Sequence, residues 1–183
     1  MKIGILALQG AFEEHRQMLE RLGVMSVLVR NLNDWQQPMD GLILPGGEST
    51  AMMKIMKDEA LMEPVRKAIR DGLPVLGTCA GMILLDDKHL GCMDITVKRN
   101  AYGRQLGSFQ TIYNIKGIGE VPMVFIRAPY IERNGNGVEV LSVLDGHVIA
   151  ACQQNMLVCS FHPELTEDTS IHRYWLSVIC GKH

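Results

Sequence analysis

The chain has 183 residues, 47% hydrophobic and 21% charged, with a formal net charge of −2. This is ordinary globular composition, and it predicts one domain over residues 1–183 with a core of its own. The near-neutral balance excludes the basic footprint of a nucleic-acid or anionic-membrane binder, and no apolar run approaches membrane-spanning length. Five cysteines without C-x-x-C spacing argue against a disulfide framework or a zinc site, and for a reducing, cytoplasmic setting.

The N-terminal run Lys2 to Leu8 reads as a strand that leads straight into a turn, not as a signal peptide. Ala11 to Leu22 follows as an amphipathic helix with Phe12, Met18, Leu19 and Leu22 on its apolar side. Val24 to Val29 and Gly41 to Leu44 are the next strands, separated by a polar connection, Asn31 to Met39, that contains Trp35. Met52 to Arg70 is helical material interrupted near Pro64. Pro74 to Gly77 is a further strand, followed by the helix-like Met82 to Leu85. This alternation implies a parallel central sheet with right-handed crossovers. Residues 106–160 change character and are mostly strand-like. Val138 to Val143 and His147 to Ala151 flank Asp145-Gly146, a strong hairpin signal. Ile171 to Ile179 closes the chain as a helix.

Three segments carry chemistry. The first is Gly77-Thr78-Cys79-Ala80-Gly81, directly after an apolar strand. A G-x-C-x-G frame is the thiol version of the nucleophile elbow, a turn so tight that only small residues fit beside the nucleophile. The helix that follows favours thiolate, the reactive form. A buried structural cysteine is the bland alternative, so a base and an oxyanion site are needed to decide. The second segment, Ser160-Phe161-His162-Pro163-Glu164, offers a histidine at a strand end and a carboxylate, Glu164, to orient it. The third, Leu42 to Thr50, runs from a strand through Pro45-Gly46-Gly47 into a helix opened by Ser49 or Thr50. Adjacent glycines let backbone N–H groups face a cavity, and Gly47 with Ala80 is the natural oxyanion pair. A phosphate loop is the rival reading, weakened by the missing lysine and by Glu48.

Taken together, Leu8-Gln9-Gly10, Pro45 to Thr50, Gly77 to Gly81, Arg99 to Gln105, Phe125 to Pro129 and Ser160 to Thr166 resemble the class I, triad-type glutamine amidotransferases. Within them they resemble the glutaminase subunits of pyridoxal 5′-phosphate synthase. The resemblance spans essentially the whole chain. It implies an α/β fold with a three-layer, open, mostly parallel flavodoxin-like sheet, with antiparallel strands in the second half. It also implies hydrolysis of L-glutamine through Cys79, His162 and Glu164 without a metal or cofactor. Gly46, Gly47, Glu48, Arg99, Ile126 and Arg127 match substrate-binding positions, Ile126 through its backbone; either arginine could meet the α-carboxylate. Arg104 could face a partner. That partner would be a (β/α)8-barrel synthase subunit that receives ammonia, and docking of it would arrange the oxyanion loop. Two other readings stay open: a triad glutaminase of another pathway, such as histidine biosynthesis, and a non-amidotransferase cysteine protein on a related sheet.

Several residues read as structural. His15, His89, His147, His172 and His183 have no motif around them and default to surface or loop. Cys92, Cys152, Cys159 and Cys180 read as packing residues, and the twelve methionines as core filler. The stretch Asp86 to Gly91 is shorter than the loop usual in the family, Tyr130 stands where many relatives have histidine, and Ala51 where a Thr or Ser is frequent. The altered loop is expected to lie away from the triad.

Overall fold

A computed structural model of the chain describes residues 1–99 and 108–182. Asn100 to Gln105, with Arg104, lie outside the described residues. In chain order the first half reads β1 (Lys2–Leu6), α1 (Phe12–Arg21), β2 (Met25–Val29), α2 (Leu32–Trp35), β3 (Gly41–Leu44), α3 (Ser49–Asp58), α4 (Met62–Arg70), β4 (Val75–Thr78), α5 (Ala80–Leu85) and β5 (Ile95–Lys98). The second half adds β6 (Ser108–Ile115), β7 (Gly119–Ile126), β8 (Tyr130–Asn134), β9 (Glu139–Leu144), β10 (His147–Gln153), β11 (Met156–Cys159) and α6 (Ser170–Tyr174).

The main sheet runs β2-β1-β3-β4-β11-β10-β8-β5, with β9 paired to β10 off this path. From β2 to β11 every pairing is parallel; from β11 to β5 every pairing is antiparallel. The central parallel strands β3, β4 and β11 are buried on both faces, and apolar residues fill them accordingly. Their alternate residues feed two cores. Leu42, Leu44, Val75 and Val158 pack with Met52 and Met56 of α3, Val65 and Ile69 of α4, and α5. Ile43, Leu76, Leu157 and Cys159 pack with Leu19 of α1, Ile171, Trp175 and the inner face of β7. The sheet is thus the middle of three layers.

Among the described residues β6 and β7 pair only with each other, as a separate two-stranded antiparallel sheet over the second core. Their inner residues Val121, Met123 and Phe125 are buried, while Ile112 and Ile126 stay exposed. The Asp145-Gly146 hairpin forms as expected, with φ of 51° and 79° at the turn, both positive as a type I′ turn requires. The helical material after the third strand is interrupted near Pro64, as expected, the break itself falling at Ala60 (φ 56°). Pro64 falls in the first turn of α4, where a missing N–H costs nothing. Within the polar 31–39 connection, Asn31 Oδ1 accepts from Asp34 N at 2.9 Å and caps the single-turn α2. The short 86–91 loop closes on Asp86, whose Oδ1 accepts from Lys88 N at 2.9 Å and lies 2.6 Å from His89 Nδ1. Tyr130 stacks on His147, ring centroids 4.0 Å apart. No helix among the described residues is long and apolar enough to cross a membrane.

Candidate active site

β4 delivers Cys79 to the sheet's C-terminal edge, where open α/β sheets place their sites. Cys79 has φ 51° and ψ −105°, a strained backbone for a residue with a side chain. The flanking glycines make the turn possible through close approach. A Cβ on Gly81 would lie 1.9 Å from the Leu44 carbonyl oxygen, and one on Gly77 would lie 2.9 Å from the backbone of Gly81. The Cys79 N–H donates to Cys159 O at 2.8 Å, tying the elbow to the neighbouring β11. The residue is 6% exposed.

β11 delivers the histidine. Phe161, fully buried, anchors the strand end with roughly 2–3 kcal/mol of apolar burial, and the His162 N–H donates to Val124 O at 2.8 Å. A 3-10 turn, Pro163–Leu165, then brings Glu164 back beneath the imidazole, with Oε1 2.7 Å from His162 Nδ1. On its other side the His162 side chain shares a cavity wall with Cys79. Burial pulls the imidazole's pKa down. The hydrogen bonds and charges of Cys79 and Glu164 outweigh it and push the pKa up to about 10, so the imidazolium form is favoured at neutral pH.

The glycine loop closes the site. Gly46 O accepts from Ala11 N at 2.8 Å. A Cβ on Gly46 would meet His162 Cε1 at 2.3 Å, and one on Gly47 would meet Gln9 Oε1 at 2.3 Å. These glycines therefore make room for the histidine and for Gln9, besides any freedom they give their N–H groups. Glu48, not Ser49 or Thr50, caps α3: its carboxylate accepts from Thr50 N at 3.1 Å and Ala51 N at 2.8 Å. The Ala51 and Thr50 amides, aided by Arg99, hold the Glu48 carboxyl below its usual range. Arg99 Nη2 lies 3.1 Å from Glu48 Oε1 and 3.2 Å from Thr50 Oγ1.

Around these groups is a cavity of about 580 Å³, within the usual range for small-molecule sites. Gly46, Gly47, Glu48, Cys79, Arg99, Ile126, Arg127 and His162 all line it. Ala80 begins α5 beside it, and Glu164 sits behind His162, 5% exposed. Arg127 makes no ion pair among the described residues and has φ 44°.

The sequence reading missed three contributors. Gln9 lines the cavity and its Oε1 accepts from Glu48 N at 2.7 Å. His15 and His172, expected at the surface or in loops, are fully buried. His15 Nε2 stands 3.5 Å from Glu164 Oε2, and His15 Nδ1 lies 2.8 Å from His172 Nε2. A signal existed: His15 lies three residues from both Phe12 and Met18, on the apolar stripe of α1, and His172 three residues before Trp175.

The sheet order, the cysteine elbow and the histidine strand define the class I glutamine amidotransferase fold. A crystal structure described as a glutamine amidotransferase superposes with a TM-score of 0.91 at 42% identity, covering 98% of each chain. A GMP synthase-type protein of Thermoplasma acidophilum shares the fold, with a TM-score of 0.76 at 19% identity over 99% of this chain and 94% of its own. The chain belongs to the SNO glutamine amidotransferase family, whose model matches residues 5–180. It is 55% identical, over 97% of both chains, to pyridoxal 5′-phosphate synthase subunit PdxT of Streptococcus pneumoniae serotype 2.

Proposed function

We propose that the chain is the glutaminase subunit of a pyridoxal 5′-phosphate synthase, a single domain that hydrolyses L-glutamine to L-glutamate and ammonia in a reducing cytoplasm. The observation that carries the reading is one geometry: His162 shares the wall of one cavity with Cys79, and its Nδ1 lies 2.7 Å from Glu164 Oε1. A His162 imidazolium stabilises a Cys79 thiolate, and Glu164 stabilises the imidazolium.

The thiolate attacks the side-chain amide carbon of glutamine. The Gly47 and Ala80 N–H groups, neither spent on a hydrogen bond among the described residues, serve the oxyanion. His162 protonates the departing nitrogen and ammonia leaves. Water, deprotonated by His162, then cleaves the γ-glutamyl thioester. At the other end of the substrate, the ionised Glu48 meets the α-ammonium and the Ile126 backbone lines the path. Arg127, without an ion pair among the described residues, takes the α-carboxylate, while Arg99 steadies Glu48.

The ammonia passes to a (β/α)8-barrel synthase subunit. The test is glutamate and ammonia release from glutamine, measured for the full chain by itself and in the presence of that barrel protein. Slow hydrolysis by the chain alone, faster hydrolysis with the barrel protein, and none in Cys79→Ala is the expected pattern. Equal rates with and without the barrel protein contradict the partner, and an active Cys79→Ala contradicts the nucleophile.

A further inference from the structure

Behind Glu164 the site continues into a buried imidazole pair that the proposed mechanism leaves unused. His15 on α1 and His172 on α6 are separated by 157 positions in sequence, yet His15 Nδ1 and His172 Nε2 are 2.8 Å apart. Both residues are fully buried. The other nitrogen of His15, Nε2, faces two acceptors. It is 3.2 Å from Oγ1 of Thr78, the residue before the nucleophile, and 3.5 Å from Glu164 Oε2. That carboxylate oxygen is buried and has no hydrogen-bond partner among the described residues, so the His15 nitrogen at 3.5 Å is a polar contact short of a formed hydrogen bond.

The carboxylate selects the tautomers. A lone pair on His15 Nε2 would face the negative oxygen, whereas an N–H there faces it favourably. With the proton on Nε2, His15 Nδ1 becomes the acceptor, so His172 must donate from its own Nε2. His172 Nδ1 is then left as a bare lone pair, and it is the His172 atom that lacks a partner among the described residues. An orphaned lone pair is the tolerable outcome for a buried imidazole; an orphaned N–H is not. The groups facing His15 are Glu164, His162, His172 and Thr78. Burial first, then the neighbouring His172 and His162, hold the His15 pKa well below its usual value. Burial brings that of His172 to about 3. A cation at His15 would also compete with the His162 imidazolium for Glu164.

Resting on the Cys79–His162–Glu164 reading above, we propose that His15 is a positioning residue for glutamine hydrolysis. It works as a neutral Nε2–H imidazole, oriented by His172, that restrains the Glu164 carboxylate and keeps Oε1 on His162 Nδ1. A carboxylate bound at one oxygen only can swing about its Cγ–Cδ bond; a donor on the second oxygen limits that swing. His15 touches no reacting atom, so its loss costs less than the 10²–10⁴-fold of a general acid–base group.

The test uses the full chain with glutamine, by itself and with the barrel synthase protein. His15→Leu keeps the bulk but removes the N–H; His15→Gln restores an N–H near the Nε2 position. His15→Leu lowers kcat/KM roughly tenfold or more, with the loss in kcat and KM nearly unchanged, since His15 is not among the residues lining the cavity. His15→Gln recovers most of the lost kcat. A His15→Leu enzyme with the wild-type kcat overturns the proposal, as does a folded His15→Gln no better than His15→Leu. Nitrogen-15 histidine NMR of the wild-type chain supplies a readout that does not depend on how the variants fold. Both imidazoles must be neutral Nε2–H tautomers from about pH 6 to 8, and an Nδ1–H tautomer or a titration of His15 in that range refutes the assignment. An active Cys79→Ala would sink the parent reading instead; a dead Cys79→Ala beside an unaffected His15→Leu sinks this inference alone.

Discussion

Gly46→Ala isolates the closeness of the glycine loop to the imidazole. The new methyl carbon would lie 2.3 Å from His162 Cε1, 2.6 Å from Nδ1 and 3.3 Å from Glu164 Oε1. Carbon atoms prefer about 3.5 Å or more, so loop and ring must separate by about 1 Å. The loop is held by the Ala11 N–H on Gly46 O at 2.8 Å, and Gly10 packs against that same oxygen: a Cβ on Gly10 would reach it at 2.0 Å. The ring is held by its 2.7 Å contact to Glu164. Displacement by 1 Å in a catalytic constellation costs about 10²-fold in rate, and overpacking costs typically about 1–3 kcal/mol of stability. Steady-state glutamate release should therefore fall about a hundredfold with a modest drop in melting temperature. Gly137→Ala is the control, its Cβ meeting only Gln153 Nε2 at an ordinary 3.5 Å. A Gly46→Ala enzyme with wild-type kcat and KM would show that the glycine does not serve the histidine.

Three further outcomes are expected. Cys159, whose Sγ donates to Phe161 O at 3.5 Å, has its thiol pKa raised well above the usual value by burial, then by Glu164 and Cys79. Cys159→Ala should thus leave glutamine-protected alkylation by a glutamine-like reagent in place, whereas Cys79→Ala abolishes it. His162 is raised from 6.5 to about 10 in the fold. Its stabilising contribution is therefore complete below about pH 6.5 and is lost as pH climbs toward 10. The wild-type urea midpoint should decline across that window and decline less in Glu164→Gln; identical slopes would contradict the coupling. Glu48→Ala removes the cap of α3, for about 1 kcal/mol of stability, and frees Arg99 from its partner. The KM for glutamine should rise by more than kcat falls, as initial-rate kinetics would show.

Much of this molecule was legible along the chain because the relevant signals are local. The buried strands Gly41–Leu44, Val75–Thr78 and Met156–Cys159 announce themselves as short apolar runs ended by turns. The Asp145-Gly146 hairpin follows from the positive φ its turn demands. Cys79 is framed by glycines whose spacing expresses the tightness of one turn, and His162 and Glu164 are two residues apart. Less legible were elements whose character depends on neighbours. The exposed-and-buried alternation of β6 and β7 marks strands, but not that they form their own sheet over the second core. Pro64 suggests a break without saying that it opens a helix.

Residue types and spacings alone thus determined which side chains could do the chemistry and which strands would carry them, because turn sterics and strand periodicity act over a handful of positions. Only the tertiary structure decided what surrounds those side chains. That Gly46 must lack a Cβ to admit His162, that Gln9 braces the Glu48 amide, and that two histidines far apart in sequence stand behind Glu164 are contacts between distant parts of the chain. Such contacts arise when layers pack on a sheet, and distance along the sequence carries no record of them.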